Sequence, residues 1–126
     1  KPVMNFISKL VAVKAISRGE TVGYNSTWTA DQDTFLGIIS AGYGDGYSKS
    51  LNSGTPVIIN KRRVPLVGLV SMDLISVDLG PNPKDKIGDE VLLWGEGLPI
   101  EEVADYSNLT TYSLATGISA RVRRII

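Results

Sequence analysis

The chain has 126 residues, no cysteine and no histidine, and its thirteen Lys plus Arg are matched by thirteen Asp plus Glu. That length fits one domain, and an apolar content of 43% is enough for a packed core and argues against a disordered chain. Zero formal net charge argues against nucleic-acid or anionic-membrane binding, which leaves a basic excess or stripe. The one dense basic cluster, Arg121, Arg123 and Arg124, is too short to count as such a stripe. Without cysteine there is no disulfide framework, no thiolate chemistry and no Cys-based metal centre, and no metal site is expected. No apolar run approaches the roughly 20 residues of a membrane span, and no basic-then-apolar leader is present, so a cytoplasmic location is expected. Without histidine, proton transfer near neutral pH falls to Tyr, Lys or a carboxylate, or to groups supplied from elsewhere.

In chain order the pattern is strand-dominated for about three quarters of the length. Met4 to Ile16 is rich in Val and Ile and ends at the turn signal Arg18-Gly19-Glu20. Phe35 to Ala41 is almost wholly apolar, as a strand covered on both faces would be, and it stops at the glycine-dense run Gly42 to Tyr47. Val57-Ile58-Ile59 and Val64-Pro65-Leu66-Val67 flank Asn60-Lys61 and predict a hairpin, since Asn tolerates positive φ. Pro65 removes a backbone donor, which predicts that its strand is an edge or starts late. Ile75, Val77 and Leu79 alternate with Leu74, Ser76 and Asp78 until Pro81-Asn82-Pro83, and Glu90 to Trp94 is one more strand, closed by Gly95-Glu96-Gly97. From Leu98 the pattern turns helical. Pro99 suits a first helical turn, Glu101 and Glu102 complement its positive end, and the helix is expected to run to about Ser107. A second short helix is expected from Thr110 toward Gly117, and a closing strand over Arg121 to Ile126. The fold class expected is mainly β, a closed or partly closed barrel with two short helices near the C-terminus. Lys1-Pro2, directly ahead of a strand, suits the tail of a linker, and the expectation is a domain excised from a longer protein.

Four features carry possible chemistry. Tyr24 follows Gly23 in Val22-Gly23-Tyr24-Asn25-Ser26-Thr27-Trp28. A tyrosine so placed is either an aromatic plug with its hydroxyl in water or a proton carrier whose pKa of about 10 is lowered by a cation. The Gly42–Tyr47 run allows backbone N–H groups to approach an anion, but it matches neither a Walker loop nor a dinucleotide fingerprint. Ser71-Met72-Asp73 sits at a strand junction, where an Asp orients a ligand or simply closes a turn. Tyr112, on the second helix, either bonds a phosphate or packs in the core.

In this order the segments VGYNSTW, GYGDGY, RRVPLVGLVSMD, GDEVLLWGEG and TTYSLATGISARVRR resemble the C-terminal domain of alanine racemase over essentially the whole chain. Tyr24 and Tyr43 also keep the spacing of that family's two active-site tyrosines. The resemblance implies that residues 1–126 are the β-domain alone, without the N-terminal α/β barrel on which a lysine covalently holds pyridoxal 5'-phosphate. It implies interconversion of L- and D-alanine by two bases, supplying D-alanine for peptidoglycan. Tyr24 matches the catalytic tyrosine that serves the partner subunit's site in a homodimer, opposite in face to the lysine. With no histidine and no arginine next to Tyr24, the group that lowers its pKa must lie on the barrel domain. Met72 matches the residue whose backbone N–H holds the substrate carboxylate. Tyr43 and Asp73 match positions at the substrate entrance, and Tyr112 matches a tyrosine that binds the cofactor phosphate in its own subunit. The isolated chain is therefore expected to be inactive.

One departure stands out. Many members carry a channel-lining arginine where this chain has Leu69, with Arg62 and Arg63 the candidates to compensate. Three other readings remain open. A decarboxylase with a similar β-domain would carry a catalytic cysteine there, which is absent. A non-catalytic barrel module would be indifferent to Tyr24→Phe. A racemase for serine or another small amino acid is not separated from one for alanine by these residues.

Overall fold

In the computed structural model, residues 5–22, 28–42, 47, 51, 53–68, 70–106 and 124–125 are described. The architecture turns on one long strand. β1 (Asn5–Ile16) runs for 12 residues and serves two neighbours in succession. Its first part pairs with β8 (Glu90–Trp94), from Phe6 opposite Trp94 to Lys9 opposite Glu90. Its second part pairs with β4 (Thr34–Ile39), from Leu10 opposite Ile39 to Ile16 opposite Thr34. A register shift at Leu10/Ala12 falls where the strand changes partner, and another at Phe6/Ile7 interrupts its pairing with β8.

The hairpin of β5 (Pro56–Ile59) and β6 (Arg62–Val67) and the strand β7 (Ile75–Gly80) complete the sheet in the order β4-β7-β6-β5-β8-β1. The further β4–β1 pairing closes it into a barrel in which every strand pairing is antiparallel. β9 (Arg124–Ile125) adds to the start of β1, opposite Asn5 and Phe6. The two-residue strands β2 (Thr21–Val22) and β3 (Trp28–Thr29) form a separate ribbon that alternation could not reveal.

The interior follows the two-residue period. Leu10, Ile39, Val57, Leu66, Val77, Val91 and Leu93 are fully enclosed, each contributing on the order of 1.5–3 kcal/mol by burial. At one point the core is aromatic. Phe6 meets Trp94 edge-on with ring centroids 4.7 Å apart, and Tyr47 stacks on Trp94 at 6.1 Å.

One expectation holds, one needs correction and one needs correction in part. Asn60 and Lys61 do make the tight turn, with φ of 50° and 66°, the twist that suits a two-residue hairpin. Pro65, however, lies in neither an edge strand nor a late-starting one, because β6 begins at Arg62 and pairs on both sides. The strand tolerates it because the neighbouring Leu66 N–H points to the β5 side, bonding Thr55 O at 2.8 Å. Position 65 therefore faces β7, whose pairing starts only at Leu66. The first helix is shorter than expected. α1 spans Ile100–Ala104, and Pro99 stands just outside it at φ −60°, ψ 141°. Beyond Ala104 the bonds tighten to three-residue spacing, Asp105 N–H to Glu102 O and Tyr106 N–H to Val103 O, which ends the helix. The second expected helix lies outside the described residues.

Candidate active site

The β2–β3 ribbon leaves the end of β1 and returns to the start of β4. Its root is fixed by reciprocal bonds, Gly19 N–H to Ala30 O at 2.8 Å and Ala30 N–H to Glu20 O at 2.9 Å. The turn below it is held by the Ser17 N–H on Glu20 Oε1 and the Arg18 N–H on Asp33 Oδ1. Val22 and Trp28 then pack on Ile16, Ala30, Leu36 and Val67. Leu36 and Val67 alternate with interior residues of their strands, so the ribbon lies across the outer face of the barrel wall. Tyr24 falls between these two strands in sequence and lies outside the described residues. The cluster against which Val22 and Trp28 pack includes Val67, one residue ahead of Gly68 and the segment that leads to Met72.

That segment is built as a turn. Gly68, at φ 75°, has its N–H bonded to Ser53 Oγ at 2.9 Å. Four residues are then gathered by one serine. Ser71 N–H donates to Leu74 O at 3.1 Å, Ser71 Oγ donates to the same oxygen at 2.6 Å, and Leu74 N–H donates back to Ser71 Oγ at 3.1 Å. Met72 and Asp73 are presented at the turn's exposed tip, with Met72 53% and Leu74 43% accessible. Among the described residues no acceptor is bound by the Met72 N–H.

The glycine-dense run meets this turn directly. A Cβ built on Gly42 would stand 2.2 Å from Ser71 O and 2.5 Å from Met72 O, so the two backbones are in close apposition. The far end of the run is tied back by the Tyr47 N–H on Gly42 O at 3.2 Å, and the Tyr47 ring is sealed in the aromatic core. Tyr43 lies between these anchors in sequence and, like Leu69 and Tyr112, is outside the described residues. The structure thus joins two segments singled out separately in the sequence, the Gly42 end of one and the Ser71–Asp73 turn of the other. Gly42 and Tyr47 had been seen only as members of a glycine-rich run, and their contacts are with residues far along the chain.

Arg62 and Arg63, the candidates to compensate for Leu69, are held elsewhere in the described structure, and Leu69 itself lies outside the described residues. They stand at the beginning of β6, whereas the Gly68–Asp73 segment follows its end. Both are engaged there. Arg62 forks onto Asp85 with Nη1–Oδ1 and Nη2–Oδ2 both at 2.7 Å, and also donates to Leu79 O. Arg63 pairs with Glu102. The Asp85 side chain is wholly inaccessible, and the Arg62 hydrogen bond holds its carboxyl below the usual range, helped by Asn60. A cleft of about 700 Å³ opens at this end, beside Asn60, Arg62, Pro81 and Asp85. Arg62, Asp85 and Asp89 are already satisfied by internal bonds, so they offer that cleft little to recognise a ligand. Among the described residues no group of His, Cys, Asp and Glu is placed to hold a metal ion, and no helix is long and apolar enough to cross a membrane.

The family model for the C-terminal domain of alanine racemase matches residues 3–126. Alanine racemase of Pasteurella multocida is 53% identical over 121 residues, which cover 96% of this chain and 34% of that protein. The biosynthetic alanine racemase of Pseudomonas aeruginosa superposes with a TM-score of 0.89 at 41% identity, over 94% of this chain and 33% of that one. Alanine racemase from Bartonella henselae, solved with covalently bound pyridoxal phosphate, superposes with a TM-score of 0.87 at 32% identity, again over 94% and 33%. The chain thus spans about a third of the length of these relatives. With the barrel, the segment order and these likenesses in agreement, the chain belongs to the alanine racemase C-terminal domain family.

Proposed function

We propose that this chain is the C-terminal domain of a pyridoxal-phosphate-dependent alanine racemase and that it supplies one of the two proton-transfer bases, Tyr24, to the partner subunit of a cytoplasmic homodimer. The observation that carries the reading is the meeting of Gly42 with the Ser71–Met72 peptide, near the end of β6, whose Val67 belongs to the cluster on which Val22 and Trp28 pack. A racemase needs proton carriers on opposite faces of the substrate, so the second carrier is best supplied by a structural element other than the one that holds the first. When bound, the cofactor supplies the electron sink that makes the substrate α-proton acidic.

The described residues fit the substrate side of such a site. An N–H without a described partner, at the tip of a tied turn, is a donor that a carboxylate accepts well, which supports Met72 as the carboxylate-binding residue. Tyr43 and Asp73 would then narrow the entrance, and Tyr112 would contact the cofactor phosphate of its own subunit. The exposed apolar tip, Met72 and Leu74, supports burial of this end against another surface, the barrel domain of the partner. The D-alanine formed would serve peptidoglycan.

The test uses the full-length parent protein. With pyridoxal phosphate it should interconvert L- and D-alanine, whereas this chain alone should not. Tyr24→Phe should lower turnover about 10²- to 10⁴-fold while leaving the cofactor absorbance in place. A parent that binds the cofactor yet leaves both enantiomers unchanged would overturn the proposal.

A further inference from the structure

We infer that Gly42 is a positioning residue, whose missing side chain sets where the Ser71–Leu74 turn, and with it the Met72 N–H, stands on the barrel. The inference rests on the function proposed above and deepens it. The geometric case is local. A Cβ at Gly42 would stand 2.2 Å from Ser71 O, 2.5 Å from Met72 O and 2.6 Å from Met72 C. All three are backbone atoms, so no side-chain rotation relieves the clash. The φ of Gly42 lies outside the left-handed region, so the position demands space and not a special angle.

Gly37, in the strand β4 that leads to Gly42, gives the contrast. A Cβ there would meet Leu10 Cδ1 at 2.9 Å and Leu79 Cδ1 at 3.1 Å, side-chain ends that can shift. The Gly42 contact is also held from behind. Tyr47 N–H bonds Gly42 O, and the Tyr47 ring is fixed between Phe6 and Trp94, so Gly42 has little freedom to retreat. The turn would have to give way instead, by about 1 Å, a displacement large enough at a binding group to cost as much as 10²-fold.

A donor that holds the substrate carboxylate throughout the reaction contributes binding that is equal in ground state and transition state. Its displacement raises KM more than it lowers kcat. In the full-length enzyme, Gly42→Ala should therefore raise KM for alanine about tenfold or more in both directions. It should lower kcat far less and leave the cofactor absorbance unchanged. Gly37→Ala, the same chemical change aimed into the core, should lower the melting temperature and leave KM alone. Should Gly42→Ala fail to fold, Ser71→Ala removes the hydroxyl that ties the turn without touching Gly42, and KM should rise severalfold. An unaltered KM in Gly42→Ala, or in Ser71→Ala where that variant stands in, would overturn the inference, as would equal effects of Gly42→Ala and Gly37→Ala. Those results leave the racemase reading intact, which fails only if the wild-type parent does not racemise alanine.

Discussion

Tyr47 carries an enclosed hydroxyl that no described residue satisfies. The residue is completely buried, and among the described residues its Oη has no hydrogen-bond partner. Enclosing a hydroxyl without a partner costs about 1–3 kcal/mol by comparison with mutational data on other proteins. Tyr47→Phe keeps the ring stacked on Trp94 at 6.1 Å and edge-on to Phe6 at 6.2 Å, so the packing is retained while that cost is removed. We expect the variant to be more stable by about 1 kcal/mol, a shift in urea midpoint of roughly 0.5 M if the slope is about 2 kcal/mol per molar. The fluorescence of Trp94 gives the readout. Desolvation also pushes the phenol of Tyr47 far above its ordinary value. In the unfolded chain tyrosine loses its proton near pH 10, whereas the folded state keeps Tyr47 protonated, so stability from this group is complete below pH 10 and declines above it. The advantage of Tyr47→Phe should accordingly widen above about pH 10, by up to roughly 1.4 kcal/mol per unit. A variant less stable than the parent at neutral pH, or a constant difference between pH 9 and 11, would refute the reasoning.

Two further predictions follow from the opposite end of the barrel. Arg62→Ala leaves the wholly inaccessible Asp85 carboxylate with only Asn60 as a side-chain partner; since Arg62 is itself 39% exposed, we expect a loss of about 2 kcal/mol in urea unfolding, below the range for a fully buried pair. The folded-state pKa of Asp85 is depressed, so its contribution is present above the unfolded value near 4 and fades as pH falls through the folded value; the difference between parent and variant should shrink on acidification. Lys61 holds φ 66°, a region that disfavours a side chain, and Lys61→Gly should raise the urea midpoint by an amount equivalent to about 0.5–1 kcal/mol once the greater freedom of glycine in the unfolded chain is counted.

What was legible in the sequence was whatever depended on near neighbours. Ile75, Val77 and Leu79 alternate with polar or exposed partners, and β7 buries those three residues as the period demands. Asn60-Lys61 specifies its turn by local backbone preference, and β8 spans Glu90–Trp94 as read. What depends on contacts distant along the chain was hidden. Closure of the sheet needs β1 to change partner at a bulge, and no local pattern encodes which strands it will meet. The place of Pro65 followed from the stagger between β6 and β7, which the residue type alone misjudged. Met72 and Tyr43 were marked by family resemblance, whereas the fit of Gly42 to the Ser71–Met72 peptide is a steric relation that only coordinates reveal.

The closed hydrogen-bond circuit limits how this domain can associate. Among the described residues each of the six barrel strands has a neighbour on either side, so the barrel has no edge strand along its whole length. A closed ring leaves only strand ends, such as the start of β1 that takes β9, for strand addition, and so disfavours the runaway stacking that long exposed edges invite. Any partner surface on the barrel wall would therefore be made largely of side chains and protruding turns. Such contacts can be altered one residue at a time without reopening the sheet, which leaves the surface free to diverge while the frame holds its shape.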